Sequence, residues 1–327
     1  MSDCVYAGSR SSKSSSLLDT STPAGSTMPA CAPERLGKAY LCITPSALFH
    51  EHSALISQKE QFTFYTMPMF INILDRKIKQ CLKSHTGCYV LFRGINQELL
   101  TRIDSELARS GIRNGLRFTF EPASRALIIK LMPGLTHEIP AWTFLEIITD
   151  EIKSLPRHTR HMYDLIGTAR FREKDGRRNE GRGKEGDGGL RPVTRKPSDF
   201  PSFVIEAAFT ESASKLECDA AWWLTKSAGA VKMVLTILIT RNPWGLVLQY
   251  WEMVENIDPG TRDTVARIPS STQSFTIDSE GDISPPNKAL KIPYLVLFDV
   301  PHKFMSDIVI SPQELKAFAL QMFSRCP

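Results

Sequence analysis

Apolar positions along the chain alternate between two periods, and the alternation predicts a mixed order of helices and strands. Helical spacing, with apolar side chains three and four apart, runs through residues 69–82 and 97–109. Between them, 88–92 is a short continuous apolar run and reads as a strand. Two further runs, 116–120 and 126–131, flank Glu121-Pro122-Ala123-Ser124-Arg125, the pattern of a β-hairpin with a loop of a few residues. In 140–155, Phe144, Leu145, Ile148, Ile152 and Leu155 share one helical face, and Pro156 stops the helix.

The segment from 203 to 251 is the most regular. Residues 203–209 read as a buried strand, 211–226 as a helix and 231–240 as a second apolar, β-branched strand. Strand, helix and strand in that order imply a parallel pair joined by a right-handed crossover, hence an α/β sheet. Ser214-Lys215-Leu216-Glu217 fits a capping box at the helix start, and Leu216, Ala220, Trp223 and Leu224 form its apolar stripe. Asn242-Pro243-Trp244-Gly245 turns the chain into another strand, 246–251. A strand over 294–298 and a helix over 312–323, with Ser311 as its N-cap, complete the C-terminal part.

Composition narrows the classes. The 327 residues carry 40 Lys and Arg against 35 Asp and Glu, a surplus of +5 that is too small to mark the whole molecule as a polyanion binder. Nine serines in the first thirty residues, with Pro23, Pro29 and Pro33, predict a disordered Ser/Pro-rich tail over 1–36. The seven cysteines are scattered without a C-x-x-C pair, which points to reduced thiols in an intracellular protein, cytoplasmic or nuclear. His158 and His161 form a local histidine pair, with no thiolate or carboxylate to complete a zinc set, so no zinc is expected. No stretch reaches the ~18 apolar residues of a membrane span, and the N-terminus lacks the apolar core of a secretory signal.

Where the charge sits changes the picture more than its sum. Residues 170–196 hold ten Lys and Arg, five Asp and Glu and six Gly, so the surplus of this one segment equals that of the entire chain. Its composition predicts a flexible basic Gly-rich loop. Gly181, Gly183 and Gly186 match G-x-G-x-x-G, but they neither leave an apolar strand nor open a helix, so a dinucleotide fingerprint is not expected.

One side chain stands out chemically. Within FVIEAAF, Glu206 interrupts six apolar or small neighbours, and a carboxylate in a sheet interior loses hydration worth several kcal/mol. A cation partner or a bound metal would compensate it. Asp187 lies just upstream in a charged Gly-rich turn, where aspartate is equally at home as a turn residue. Downstream, Lys215 and Asp219 stand four apart on one face of the helix, a spacing that also serves simple helix pairing. An aspartate opening one strand, a glutamate on the next and a nearby lysine are what metal-assisted phosphodiester cleavage requires: carboxylates hold Mg²⁺ or Mn²⁺, and an ammonium positions the nucleophile.

At these residues a resemblance becomes visible. KEGDGGLRP, then FPSFVIEAAFTESASKLECDAAWWL, then GAVKMVLTILI, is similar to the restriction-endonuclease-like PD-(D/E)XK fold in the version found in a group of fungal proteins. There an E-P-D-x-x-x-R-P segment precedes a V-x-E strand, S-x-S and a helix with D-A-x-W-W. ALIIKLMPGLTHEIPAWTFLEII resembles the hairpin, His-Glu pair and first helix that precede that core. The resemblance implies an α/β fold with a mixed central sheet flanked by helices over 116–327, preceded by a mixed N-terminal extension, 37–115, of unassigned role. It implies Asp187 and Glu206 as metal ligands, the Ala207 carbonyl as a further one, and Glu138 or Glu146 on the first helix as an extra one. His137 is expected to cap or orient that helix. Two departures stand out: the motif proline is Gly186, and the lysine expected two residues after the glutamate is Ala208. Relatives that draw the lysine from the following helix nominate Lys215.

The first expectation is therefore a Mg²⁺-dependent nuclease acting on DNA, with Asp187, Glu206 and Lys215 as its catalytic groups. Arg177, Arg178, Arg182 and Lys184 would contact phosphates. The alternative is a nuclease-like domain that has lost catalysis and serves as a nucleic-acid or protein binding module.

Overall fold

The computed structural model describes residues 45–84, 86–113, 115–131, 138–155, 162–167, 169–173, 181–209, 213–241, 243–256, 266–300 and 306–325. The segment expected as a disordered tail lies outside them, as do His137, His158 and His161. Tyr40–Pro327 forms one compact unit.

The chain opens with α1 (Pro45–Ala54), β1 (Gln61–Thr63), α2 (Met67–Ser84), β2 (Cys88–Arg93) and α3 (Gln97–Arg109). Asn96 caps α3, its side chain accepting from the Leu99 amide at 2.8 Å. The predicted hairpin follows as β3 (Leu116–Glu121) and β4 (Ala126–Leu131), then α4 (Ile139–Ser154), which has Pro140 in its first turn. Next come β5 (Tyr163–Ile166), β6 (Arg170–Arg172), β7 (Gly183–Glu185), β8 (Gly188–Pro192) and β9 (Phe203–Phe209). The C-terminal elements are α5 (Ala213–Lys226), β10 (Met233–Arg241), β11 (Trp244–Asn256), β12 (Ala266–Asp278), β13 (Ile283–Ser284), β14 (Leu290–Ile292), α6 (Tyr294–Phe298), β15 (Ile308–Ile310) and α7 (Pro312–Arg325).

These strands form two large mixed sheets. One has the order β1-β2-β4-β3-β7-β6 and the other β13-β12-β11-β10-β9-β8-β5, with β14 and β15 paired apart. The predicted parallel crossover is present: β9 pairs parallel with β10, Glu206 opposite Thr236, while β8 and β11 flank the pair antiparallel. A parallel pair covered on both faces explains why FVIEAAF and MVLTILI read as nearly unbroken apolar runs. The boundary expected at 115/116 falls inside the six-stranded sheet, because β2 pairs with β4 along its whole length.

Each sheet builds its own core. Leu127, Ile129 and Leu131 of β4 join Val90 and Phe92 of β2, Leu116, Phe118 and Phe120 of β3 and the apolar faces of α2 and α3. The opposite parity, Ala126 and Ile128 with Tyr89 and Leu91, packs on Phe49 of α1. Lys130 and Arg117 share that second parity, so strand alternation alone aims them away from the apolar core. In the seven-stranded sheet, Phe203, Ile205 and Ala207 of β9 pack with α4 and α7, and Val204 with Trp222 and Trp223 of α5.

Three expectations are corrected. The stretch 170–196 is not one flexible loop: β6, β7 and β8 lie within it, and 183–192 is buried throughout. Glycine is required there by close packing, since a Cβ on Gly189 would stand 2.6 Å from the Phe203 carbonyl oxygen of the neighbouring strand. Residues 294–298 form helix α6, not a strand, a short apolar run being ambiguous by periodicity. Helix α5 begins at Ala213, so Ser214 lies within its first turn instead of capping it. The reciprocal cap does occur at α7, where Ser311 Oγ accepts from the Glu314 amide and Glu314 accepts from the Ser311 amide.

Candidate functional site: a buried ion cluster between two sheets

Asp187 stands at the entry to β8 and Glu206 in the middle of β9, and antiparallel pairing of these strands brings the two together. The ammonium that touches both belongs to Lys130 of β4, with Nζ 2.6 Å from Asp187 Oδ2 and 3.2 Å from Glu206 Oε2. Asp187 Oδ2 also accepts from the Ala207 amide at 2.9 Å, and Arg117 Nε stands 3.2 Å from Oδ1. Glu206 Oε1 accepts from the Trp223 indole at 2.7 Å and lies 3.5 Å from Lys184 Nζ. Lys184, on β7, reaches Asp219 of α5 at 2.5 Å.

The cluster is thus two complementary faces. The six-stranded sheet supplies Arg117, Lys130 and Lys184; the seven-stranded sheet and α5 supply Asp187, Glu206 and Asp219. Three positive and three negative charges sum to zero. All six are buried, Glu206 to 0% exposure and Asp187 and Asp219 to 1%. Tyr89 and His52 close one side: the Tyr89 hydroxyl donates to Asp219 at 3.4 Å, and the two rings meet edge to face.

Burial and pairing compete at each group. For Asp187, burial raises the pKa, but Lys130 and Arg117 prevail and hold its carboxyl below the usual range. Asp219 is likewise held down against burial by Lys184. At Glu206 burial wins over Lys184 and Lys130, and the pKa rises. Burial disfavours the ammonium of Lys130, yet Asp187 leads the carboxylates that keep it well above the ordinary lysine value. Burial takes His52 down to about 4, so it is neutral at neutral pH and its 3.7 Å approach to Asp219 is a dipolar contact, not an ion pair.

The other expected site residues lie as follows. Lys215 places its ammonium 4.8 Å from the centre of the Tyr89 ring. Glu138 pairs with Arg117 at 3.1 Å, and Ala207 presents its amide to Asp187. Arg182 is engaged by Glu121 and Glu173, and Lys184 by Asp219 and Glu206. Arg177 and Arg178 lie outside the described residues.

Sequence reasoning misses Lys130, Arg117 and Trp223 as members of the cluster. Lys130 carries the same signal as Glu206, a lone charge in an apolar strand, in ALIIKLM; Arg117 does so in LRFTF. Trp223 reads as packing until its indole is seen to donate to a carboxylate.

Lys130 fills the space shared by the carboxylates of Asp187 and Glu206. Among the described residues, no group of three or more His, Cys, Asp or Glu side chains is disposed to hold a metal ion, and no helix is long and apolar enough to cross a membrane. Comparison with protein-family models, with curated proteins and with solved structures gives no match.

Proposed function

We propose that residues 116–327 are a restriction-endonuclease-like domain in which the metal position has become a structural ion cluster, and that the protein acts by binding DNA without cleaving it. The observation that carries this reading is the Lys130 ammonium lodged between Asp187 and Glu206. An aspartate at the entry to one strand, a glutamate on its neighbour and a following helix agree with the resemblance in the sequence. The burial of the six groups and the lysine already seated between two of the acids argue against hydrolysis. Arg182 and Lys184 are engaged by carboxylates of the chain itself, so phosphate contacts are assigned to Arg177 and Arg178.

The test is a binding and cleavage assay on the full chain with labelled DNA in Mg²⁺ or Mn²⁺. The expected outcome is intact DNA and an affinity that falls with salt. Replacing Arg177 and Arg178 together by alanine should flatten the log–log salt slope by about 0.9 for each phosphate that is no longer neutralised. Cleavage that requires the divalent ion and disappears in both Glu206→Ala and Lys130→Ala would overturn it. The convergence of Asp187, Glu206 and an ammonium favours that second reading, a metal-dependent nuclease with Lys130 in place of Lys215.

A further inference from the structure

Away from the ion cluster, two thiols lie side by side. Cys81 sits in the last turn of α2 and Cys88 opens β2, and their sulfurs are 3.2 Å apart. No C-x-x-C motif announces the pair; the reversal between helix and strand creates it. The Thr86 amide donates to the Cys81 carbonyl at 3.3 Å, and the Ser84 and Thr86 hydroxyls meet at 2.6 Å. Both sulfurs are anchored by their elements, because Cys81 belongs to the apolar core of the six-stranded sheet and Cys88 is paired opposite Leu131. Cys81 is 3% exposed, whereas Cys88 is half-buried, so a small reagent has a route to the pair.

We infer that Cys81 and Cys88 form a redox-active dithiol that a small peroxide converts to an intramolecular disulfide. A disulfide bond is roughly 2.05 Å long, so the sulfurs need to close by little more than an ångström. The contact with Cys88 lowers the Cys81 pKa, and the same contact together with burial raises that of Cys88, so Cys81 is the thiol more readily ionised for attack. The Cys81 thiolate attacks one oxygen of hydrogen peroxide; the O–O bond breaks, and hydroxide leaves and takes up a proton as water. Cys81 is then a sulfenic acid. The Cys88 sulfur attacks the Cys81 sulfur, the S–O bond breaks as the S–S bond forms, and the Cys88 proton leaves with the departing hydroxide as a second water. Two electrons pass from the two thiols to the peroxide. The product ties α2 to the strand that carries Tyr89 into the ion cluster.

The experiment treats the full chain with graded hydrogen peroxide, alkylates the remaining thiols and digests with trypsin without reduction. Cleavage after Lys79, Lys83 and Arg93 puts the two cysteines on separate peptides, 80–83 and 84–93. The expected product is these two peptides joined, lighter by two hydrogens than their sum and released by dithiothreitol, with Cys218, buried in α5, still open to alkylation after unfolding. In Cys88→Ser, dimedone should trap a sulfenic acid on Cys81. Recovery of the two peptides unlinked, or Cys88 joined to any other cysteine, overturns the inference; the wild-type map alone decides if the variant does not fold.

Discussion

Two consecutive residues of β7 lead into opposite electrostatic surroundings. Lys184 points into the cluster between the sheets, where each charged group is almost fully dry. Glu185, on the other face, meets Arg113 and Arg170 above the Phe118 ring, and Asp104 joins them from α3. There the side chains of Arg113 and Asp104 keep 23% and 31% of their exposure. Both networks use carboxylates and cations at similar distances. What separates them is the water access of the partners: Glu185 is itself buried, but Arg113 and Asp104 can rehydrate when orphaned, and no member of the inner six can.

That contrast is broken most severely by removing Lys130. Lys130→Met leaves Asp187 and Glu206 facing each other without their shared cation, and it should cost about 3–5 kcal/mol of stability in urea unfolding. Adding Glu206→Gln removes one of the two carboxylates that shared Lys130, so the double variant should lose less than the two single losses combined. A double variant that loses the full sum would mean that the two groups do not interact.

Acid titration probes the same region more gently. His52 is held near 4 by burial, while an unfolded histidine titrates near 6.5. Between these values the unfolded chain binds more protons than the folded one, so stability rises with pH across the window and falls as the solution is acidified. The loss should be on the order of 3 kcal/mol from pH 6.5 to 4, and His52→Gln should flatten that part of the stability profile. An unchanged profile in the variant would show that another group sets the slope.

The outer network should respond least. Arg170→Gln removes the pairs to Asp104 and Glu185, but the neighbouring Arg113 still reaches both acids. A loss of about 1–2 kcal/mol is expected, smaller at high salt. A loss as large as that of Lys130→Met would erase the distinction between wet and dry networks.

How much of this is legible in the sequence depends on range. The parallel strands β9 and β10 with their intervening helix announce themselves, because both faces are buried and the apolar runs are continuous. Glu206 is legible as an isolated charge in such a run. Residues 170–196 mislead because local composition cannot show that Arg170, Arg182, Lys184, Arg191 and Arg195 find carboxylates far along the chain; their polarity looks solvated until the partners are known. The same long range hides Lys130, whose acids lie 57 and 76 residues away. The thiol pair is hidden for another reason: Cys88 stands seven positions after Cys81, and only the reversal at the end of α2 makes them neighbours.

The order of the six charges along the chain has its own consequence for synthesis. Arg117, Lys130 and Lys184 all precede Asp187, Glu206 and Asp219, so every cation leaves the ribosome before any of its partners. The nascent six-stranded sheet must keep a wet, positively charged flank until α5 has emerged, and only then can that flank dehydrate. Final docking of the two sheets is therefore expected to follow the emergence of Asp219, the last of the three acids.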